Sequence, residues 1–163
     1  MITLVLGGAR SGKSSVAERL CTGDDVVYVA TAIVRDDDMA ARVAAHQARR
    51  PPAWSTVEAD AAGLVPAVRE VPPDATLLVD SLTTWLADAP DFEVDTPALC
   101  AALAGRRGDA VLVSDEVGMG VHPSTEVGRL FRDRLGELNR AVADCSDRVL
   151  LVVAGRVLPL ELP

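Results

Sequence analysis

The segment from Gly7 to Ser14 is the part of the chain most suited to chemistry, because it reads GGARSGKS and matches G-x-x-x-x-G-K-[S/T] in full. Its glycines let the backbone curl so that N–H groups point inward at phosphate oxygens. The Lys13 ammonium supplies a mobile cation for the β and γ phosphates during catalysis, and the Ser14 hydroxyl is placed to ligate Mg²⁺. The motif therefore predicts nucleotide binding by Gly7, Gly8, Ala9, Arg10, Ser11, Gly12, Lys13 and Ser14.

The surroundings of this motif are those that a phosphate loop requires. An apolar run from Leu4 to Leu6 precedes the loop, and a stretch of helical composition follows it, so that the helix adds its positive N-terminal end. The alternative is a glycine-rich turn that only starts a helix, but a chance match at all four fixed positions is below ~1%. The motif alone does not reveal the reaction.

Carboxylates follow two other apolar runs and are candidates to position the metal. Asp80 comes directly after Leu77–Val79, in the form of a Walker B strand, and we expect it to ligate Mg²⁺. Asp115 and Glu116 follow the run that ends at Val113. The alternative for each acid is a solvated strand end or a helix cap. The chain contains no N-K-x-D element of the kind with which switch GTPases recognise guanine.

Residues 36–50 open with three acids and close with bases, the order that a helix macrodipole favours. On the predicted helix His46 lies among arginines, with Arg42 one turn before it and Arg49 and Arg50 just after it. The alternative is a solvated cationic face. In the functional interpretation the arginines bind phosphates and favour the neutral, nucleophilic imidazole.

Composition indicates one domain over residues 1–163, with a core of Val, Leu and Ala, since aromatic residues make up only 3%. The formal net charge of −8 argues against a nucleic-acid-binding surface. We expect no membrane span, because no apolar stretch approaches ~20 residues. The sequence has no signal-peptide pattern and three widely spaced cysteines, so we expect a reduced cytoplasmic setting.

Apolar runs of strand length alternate with stretches of helical composition, which predicts an α/β fold with a parallel sheet flanked by helices. Pro51 and Pro52 must end the preceding helix, and we expect a strand or extended loop at 54–58 and a surface loop at 87–95. The predicted strands are 2–6, 26–30, 76–79, 110–113 and 149–153. The predicted helices are 12–21, 36–50, 59–70, 96–106 and 125–144.

Several segments together resemble the bifunctional adenosylcobinamide kinase and adenosylcobinamide-phosphate guanylyltransferase family. The resemblance runs from Met1 to about Leu158, and the segments occur in the family's order. Two departures are an Asp at position 115, where the family has Asn, and a shorter stretch between 86 and 108. The segments are GGARSGKS at 7–14, YVAT at 28–31, DDDMAARVAAHQARRP at 36–51, LVDSLTTW at 78–85 and DEVGMGVHP at 115–123.

The resemblance implies a RecA-like P-loop fold of about six strands, a homotrimer and two reactions on a corrinoid. ATP or GTP first phosphorylates adenosylcobinamide, and GTP then gives its GMP to a histidine that passes it on, forming adenosylcobinamide-GDP. His46 corresponds to that histidine. The positions that correspond to the family's nucleotide contacts are Thr31, Ala32, Ile33, Glu58 and Asp80. Arg49 and Arg50 are candidates for nucleotide binding because of their charge beside His46.

Two other functions fit parts of the sequence. A kinase with a single activity on another small metabolite would use the phosphate loop but would have no use for His46 among arginines. A nucleotide-gated regulatory protein would hydrolyse nucleotide slowly, bind a partner and turn over no corrinoid.

Overall fold

The structure is a computed structural model that describes residues 1–31 and 51–162. Within these residues seven strands form one sheet in the order β3-β2-β4-β5-β1-β6-β7. All neighbouring pairs are parallel except β6 and β7, which are antiparallel. The strands are β1 (Ile2–Gly7), β2 (Val26–Ala30), β3 (Ser55–Glu58), β4 (Thr76–Asp80), β5 (Ala110–Asp115), β6 (Arg148–Val153) and β7 (Arg156–Leu160).

Helices cover both faces of this sheet, as expected for parallel strands that are apolar on both sides. One core contains Leu4, Leu77 and Leu112 and lies under four of the helices, whereas the other contains Val5 and Leu78 and lies under the first helix. The described helices are α1 (Lys13–Leu20), α2 (Leu64–Glu70), α3 (Leu82–Asp88), α4 (Thr96–Ala104) and α5 (Glu126–Asp144), with a 3-10 turn at Pro90–Phe92.

Helix α3 follows β4 directly and ties the sheet to the helical layer. A capping box starts it, because the Ser81 hydroxyl accepts from Thr84 N and the Thr84 hydroxyl accepts from Ser81 N. Its apolar side is buried at Leu82, Trp85 and Leu86. Burial therefore holds in place a helix of only seven residues.

The five predicted strands are all present, and the extended segment at 54–58 is strand β3. The helix predicted at 59–70 begins only at Leu64, because the Asp60 carboxylate accepts from Gly63 N at 2.7 Å and holds a turn before it. The helix predicted at 36–50 lies outside the described residues. The seven-stranded, mostly parallel sheet agrees with the predicted fold class, while β7 and α3 were not predicted.

The segment 87–95, predicted as a surface loop, contains more regular structure than expected. It contains the end of α3 and the 3-10 turn, and the Phe92 ring packs edge-on against Phe131 of α5 with centroids 5.2 Å apart. Ala89 is buried. In the part of the chain that the structure describes, no helix is both long and apolar enough to cross a membrane.

Candidate active site

The phosphate loop connects β1 to α1 in a tight turn that glycines make possible. Gly12 has φ of 93°, a left-handed conformation that residues with a side chain rarely adopt, and its carbonyl accepts from Val16 N at the start of α1. A Cβ on Gly7 would stand 2.5 Å from Ser11 Oγ and 2.7 Å from Val152 O. The loop therefore packs closely on β6. Gly7 and Gly12 can hold their positions only because neither carries a side chain.

The loop opens outward to solvent, while its base is fixed. Gly8, Ala9 and Arg10 are exposed, whereas Ser11 is buried and its backbone carbonyl accepts from Gly155 N at 2.8 Å. The Ser11 hydroxyl has no hydrogen-bond partner among the described residues. An exposed loop on a fixed base suits the binding of an anion that approaches from solvent.

Lys13 is paired with Asp115 at the end of the adjacent strand. Its Nζ lies 2.5 Å from Asp115 Oδ1 and donates to the Gly8 carbonyl at 3.4 Å. Asp115 is opposite Gly7 in the register of β1 and β5, so the sheet itself brings the carboxylate to the loop. Of the acids considered from the sequence, Asp115 is thus the one that contacts the motif lysine.

Asp80 ends β4, which is separated from β1 by β5. Its Oδ2 accepts a hydrogen bond from the Tyr28 hydroxyl at 3.1 Å. Ala30 pairs with Asp80 on one side and with Glu58 on the other, so both acids lie at the carboxyl edge of the sheet. Glu58 is exposed there. The parallel sheet therefore brings three of the predicted elements, Glu58, Asp80 and the phosphate loop, to one edge.

Thr31 follows β2 at this edge, but its side chain is buried and engaged. Its Oγ1 accepts from Ser81 N at 2.8 Å, donates to Ser81 O at 2.6 Å and lies 2.5 Å from Thr84 Oγ1. The hydroxyl thus joins the end of β2 to the start of α3.

The other predicted contacts fall in the range 32–50, outside the described residues. They are Ala32, Ile33, His46, Arg49 and Arg50. The chain's other histidine, His122, is exposed and accepts at Nδ1 from the Arg132 guanidinium at 2.8 Å.

Sequence reasoning missed two side chains that fix Asp115. Thr83 Oγ1 accepts from Asp115 N at 2.7 Å, and Asn139 Nδ2 donates to Asp115 O at 3.0 Å. Asn139 is a polar residue on the apolar side of α5, and this departure from an amphipathic pattern was the available signal. Thr83 offered no comparable signal.

The fold and the loop define the class of the molecule. A phosphate loop between the first strand and helix of a parallel sheet, with acids at neighbouring strand ends, belongs to a P-loop nucleotide-binding protein. Solved structures share this fold: the P4 protein of bacteriophage phi6 in complex with ADP has a TM-score of 0.54 at 12% identity, over 96% of this chain and 53% of that one. An ATPase of a bacterial type III secretion system has a TM-score of 0.55 at 16% identity, over 92% and 50%.

The chain belongs to the cobinamide kinase / cobinamide phosphate guanyltransferase family, whose profile matches residues 3–160. The bifunctional adenosylcobalamin biosynthesis protein CobP of Pseudomonas aeruginosa is 41% identical, over 99% of this chain and 98% of the relative. The corresponding CobU of Salmonella typhimurium is 37% identical, over 95% and 97%. These matches confirm the resemblance found in the sequence, and the family description names both a kinase and a guanylyltransferase activity.

Proposed function

We propose that this chain phosphorylates adenosylcobinamide with ATP or GTP and then transfers GMP from GTP, through His46, to give adenosylcobinamide-GDP. The observation that carries the proposal is the phosphate loop, with Lys13 at the carboxyl edge of the sheet, in a chain that matches the two-activity family over residues 3–160. The single-activity kinase is less well supported, because the family description names both reactions.

In the first reaction the hydroxyl oxygen of the corrinoid side chain attacks the γ phosphorus. The bond from that phosphorus to the bridging oxygen breaks, a nucleoside diphosphate leaves, and the hydroxyl proton passes to solvent. Exposed loop N–H groups and the Lys13 ammonium stabilise the charge that builds up on the phosphoryl oxygens. The role of the protein in this step is to position the phosphates and stabilise their charge.

A hydroxyl in the phosphate loop and a carboxylate at the same edge of the sheet suit a Mg²⁺ ion that is shared with a nucleotide. Within the described residues no group of three or more His, Cys, Asp or Glu could hold a metal by itself. Mg²⁺ usually binds one or two protein oxygens together with substrate phosphates, which the Ser14 hydroxyl and the Asp80 carboxylate match. Bound there, the ion would offset phosphate charge.

In the second reaction a ring nitrogen of His46 attacks the α phosphorus of GTP, and pyrophosphate leaves. The phosphate oxygen of the phosphorylated corrinoid then attacks the same phosphorus, which breaks the P–N bond and regenerates the imidazole. Arg49 and Arg50 follow His46 in sequence and supply charge-assisted hydrogen bonds to the phosphates. The family match supports this assignment.

We further propose a homotrimer that works in the cytoplasm. Apolar side chains on β6, β7 and the residues after them are exposed and provide a surface for association: Val153, Val157, Leu158, Leu160 and Leu162. All three cysteines are free thiols, which suits a reducing compartment. Light scattering should give three times the chain mass of 17.1 kDa, and a mass equal to one chain would contradict the trimer.

Incubation with adenosylcobinamide, GTP and Mg²⁺, followed by mass analysis of the corrinoid products, tests both reactions together. We expect adenosylcobinamide phosphate first and adenosylcobinamide-GDP at longer times. Accumulation of the phosphate alone would indicate a single-activity kinase. Slow GTP hydrolysis with an unchanged corrinoid would indicate a regulatory protein instead.

A further inference from the structure

The Asp115 carboxylate lies inside the site where nucleotide phosphates are expected. Its Oδ1 is 2.5 Å from Lys13 Nζ, and the two side chains are 25% and 13% exposed. An ion pair shielded in this way is screened less by salt than one on the open surface. The negative charge of Asp115 therefore offsets much of the positive charge that Lys13 presents to an incoming anion.

Contacts from three elements fix the backbone that carries this carboxylate. Thr83 of α3 holds its backbone N–H, and Asn139 of α5 holds its carbonyl oxygen. The next residue, Glu116, donates its N–H to the Gly7 carbonyl at 3.1 Å, which fixes the strand end to the phosphate loop. Because the backbone of Asp115 is fixed, only rotation of its short side chain can move the carboxylate, and the charge stays close to the phosphates when a nucleotide binds.

The effect of this charge depends on whether the nucleotide carries a metal ion. A free nucleoside triphosphate competes with Asp115 for Lys13, and its negative charge is also repelled by the carboxylate. A Mg²⁺ complex carries less negative charge, and the divalent ion attracts the same carboxylate. The fixed acid therefore penalises the free nucleotide more than the complex.

We propose that Asp115 is a specificity-determining residue that makes this site select the Mg²⁺ complex of the nucleotide over the free nucleotide. The inference rests on the proposed nucleotide binding at the phosphate loop and is independent of the corrinoid and of His46. Under this proposal the lysine is released to the phosphates when the metal arrives with them.

The test is the dissociation constant of GTP, measured by calorimetry with excess Mg²⁺ and again with excess EDTA. Asp115→Asn should tighten metal-free binding by about tenfold, or about 1.4 kcal/mol, with a smaller change for the Mg²⁺ complex. The ratio of the dissociation constant in EDTA to that in Mg²⁺ should therefore fall. The control is Asp74→Asn, which removes a carboxylate from an ion pair with Arg107 at the opposite edge of the sheet. Its ratio should stay within about twofold of wild type.

Two outcomes would overturn the proposal: an unchanged ratio in Asp115→Asn, whether or not both constants change, or the same fall in Asp74→Asn. A role as general base would instead lower kcat and leave the ratio unchanged. If Asp115→Asn does not fold, Asp115→Ser makes the same test, with the same expected fall in the ratio. Failure of the wild-type chain to bind GTP in any form would overturn the proposed function as well, and tight binding with an unchanged ratio would overturn only this inference.

Discussion

Gly155, in the turn between β6 and β7, donates its backbone N–H to the Ser11 carbonyl at 2.8 Å. The same turn also approaches the next residue of the loop, because the α carbon of Gly155 lies 3.5 Å from the position that a Cβ would take on Gly12. The hairpin of β6 and β7 thus contacts the phosphate loop and helps to hold its backbone in place. Changes in this turn should therefore affect nucleotide binding.

Gly155→Ala should weaken GTP binding by more than its effect on stability explains. Gly155 has φ of 71°, so a side chain there costs about 1–2 kcal/mol and displaces the N–H that holds Ser11. Gly23→Ala is the matched control, because Gly23 also has positive φ and open space around it but lies outside the phosphate loop. The two variants should melt at similar temperatures, and only Gly155→Ala should bind GTP less tightly in calorimetry. Equal GTP affinity in both would show that the hairpin does not support the loop.

Gly7→Ala should destabilise the fold by about 1–3 kcal/mol, because the new methyl group would collide with Ser11 Oγ and the backbone oxygen of Val152. Gly8→Ala is the control, since a Cβ at that position meets no atom within 4 Å. Its free energy of unfolding should stay within about 0.5 kcal/mol of wild type. Urea unfolding without nucleotide measures both, and equal stability of the two variants would contradict the packing described for Gly7.

Lys13→Ala should lower the rate of phosphoryl transfer to adenosylcobinamide by about a hundredfold or more, because it removes the loop cation that stabilises the transferred group. The fold should persist, since Lys13 lies in the motif at the start of α1 and its Nζ contacts only Gly8 and Asp115 among the described residues. Circular dichroism checks the folding of this variant. The double variant Lys13→Ala/Asp115→Asn removes both charges of the ion pair, so that no unpaired carboxylate is left beside the loop. Transfer at the wild-type rate in the folded single variant would rule out this role for Lys13.

Stability should fall as the pH rises above about 9, partly because of Cys21. Burial raises the pKa of the Cys21 thiol to about 12, and the Asp109 and Glu18 carboxylates add to the effect. Between the unfolded thiol pKa and this value the unfolded chain gives up a proton that the folded chain keeps, so alkali favours unfolding. Below pH 8 both states hold the proton and this dependence disappears.

Urea unfolding at pH 8 and pH 10 tests this prediction. Cys21→Ala should be less stable than wild type at both pH values, because it loses buried atoms, but its loss of stability between them should be smaller. If the free energy of unfolding falls by the same amount in both proteins between pH 8 and pH 10, burial does not raise the pKa of the Cys21 thiol.

Features that depend on residues close together in the chain could be predicted from the sequence. The phosphate loop is a local pattern, and the parallel strands are apolar runs that stay apolar because both faces of the sheet are covered. Helix α3 was missed because Thr83 and Thr84 are weak helix formers, and burial of its other side stabilises it. Strand β7 was missed because Pro159 interrupts its pattern, which an edge strand tolerates.

The pairing of Lys13 with Asp115 could not be predicted, because it depends on the order of strands in the sheet. β5 lies next to β1 although three strands come between them in the chain. For the same reason Asp80, the acid expected to hold the metal, lies one strand further away, and its part in Mg²⁺ binding stays a prediction. The contacts expected from Ala32, Ile33, Arg49 and Arg50 also stay predictions, since these residues lie outside the described part of the chain.

The most direct test of the two-reaction account is covalent labelling of the protein by GTP that carries radioactive phosphorus at the α position. We predict a label on the wild-type chain that survives denaturation and is released by acid, as expected of a phosphoramidate. His46→Ala should lose the label and still phosphorylate adenosylcobinamide, while His122→Ala, the matched control, should keep both. Undiminished label on His46→Ala would contradict the account and make His122 the next histidine to test.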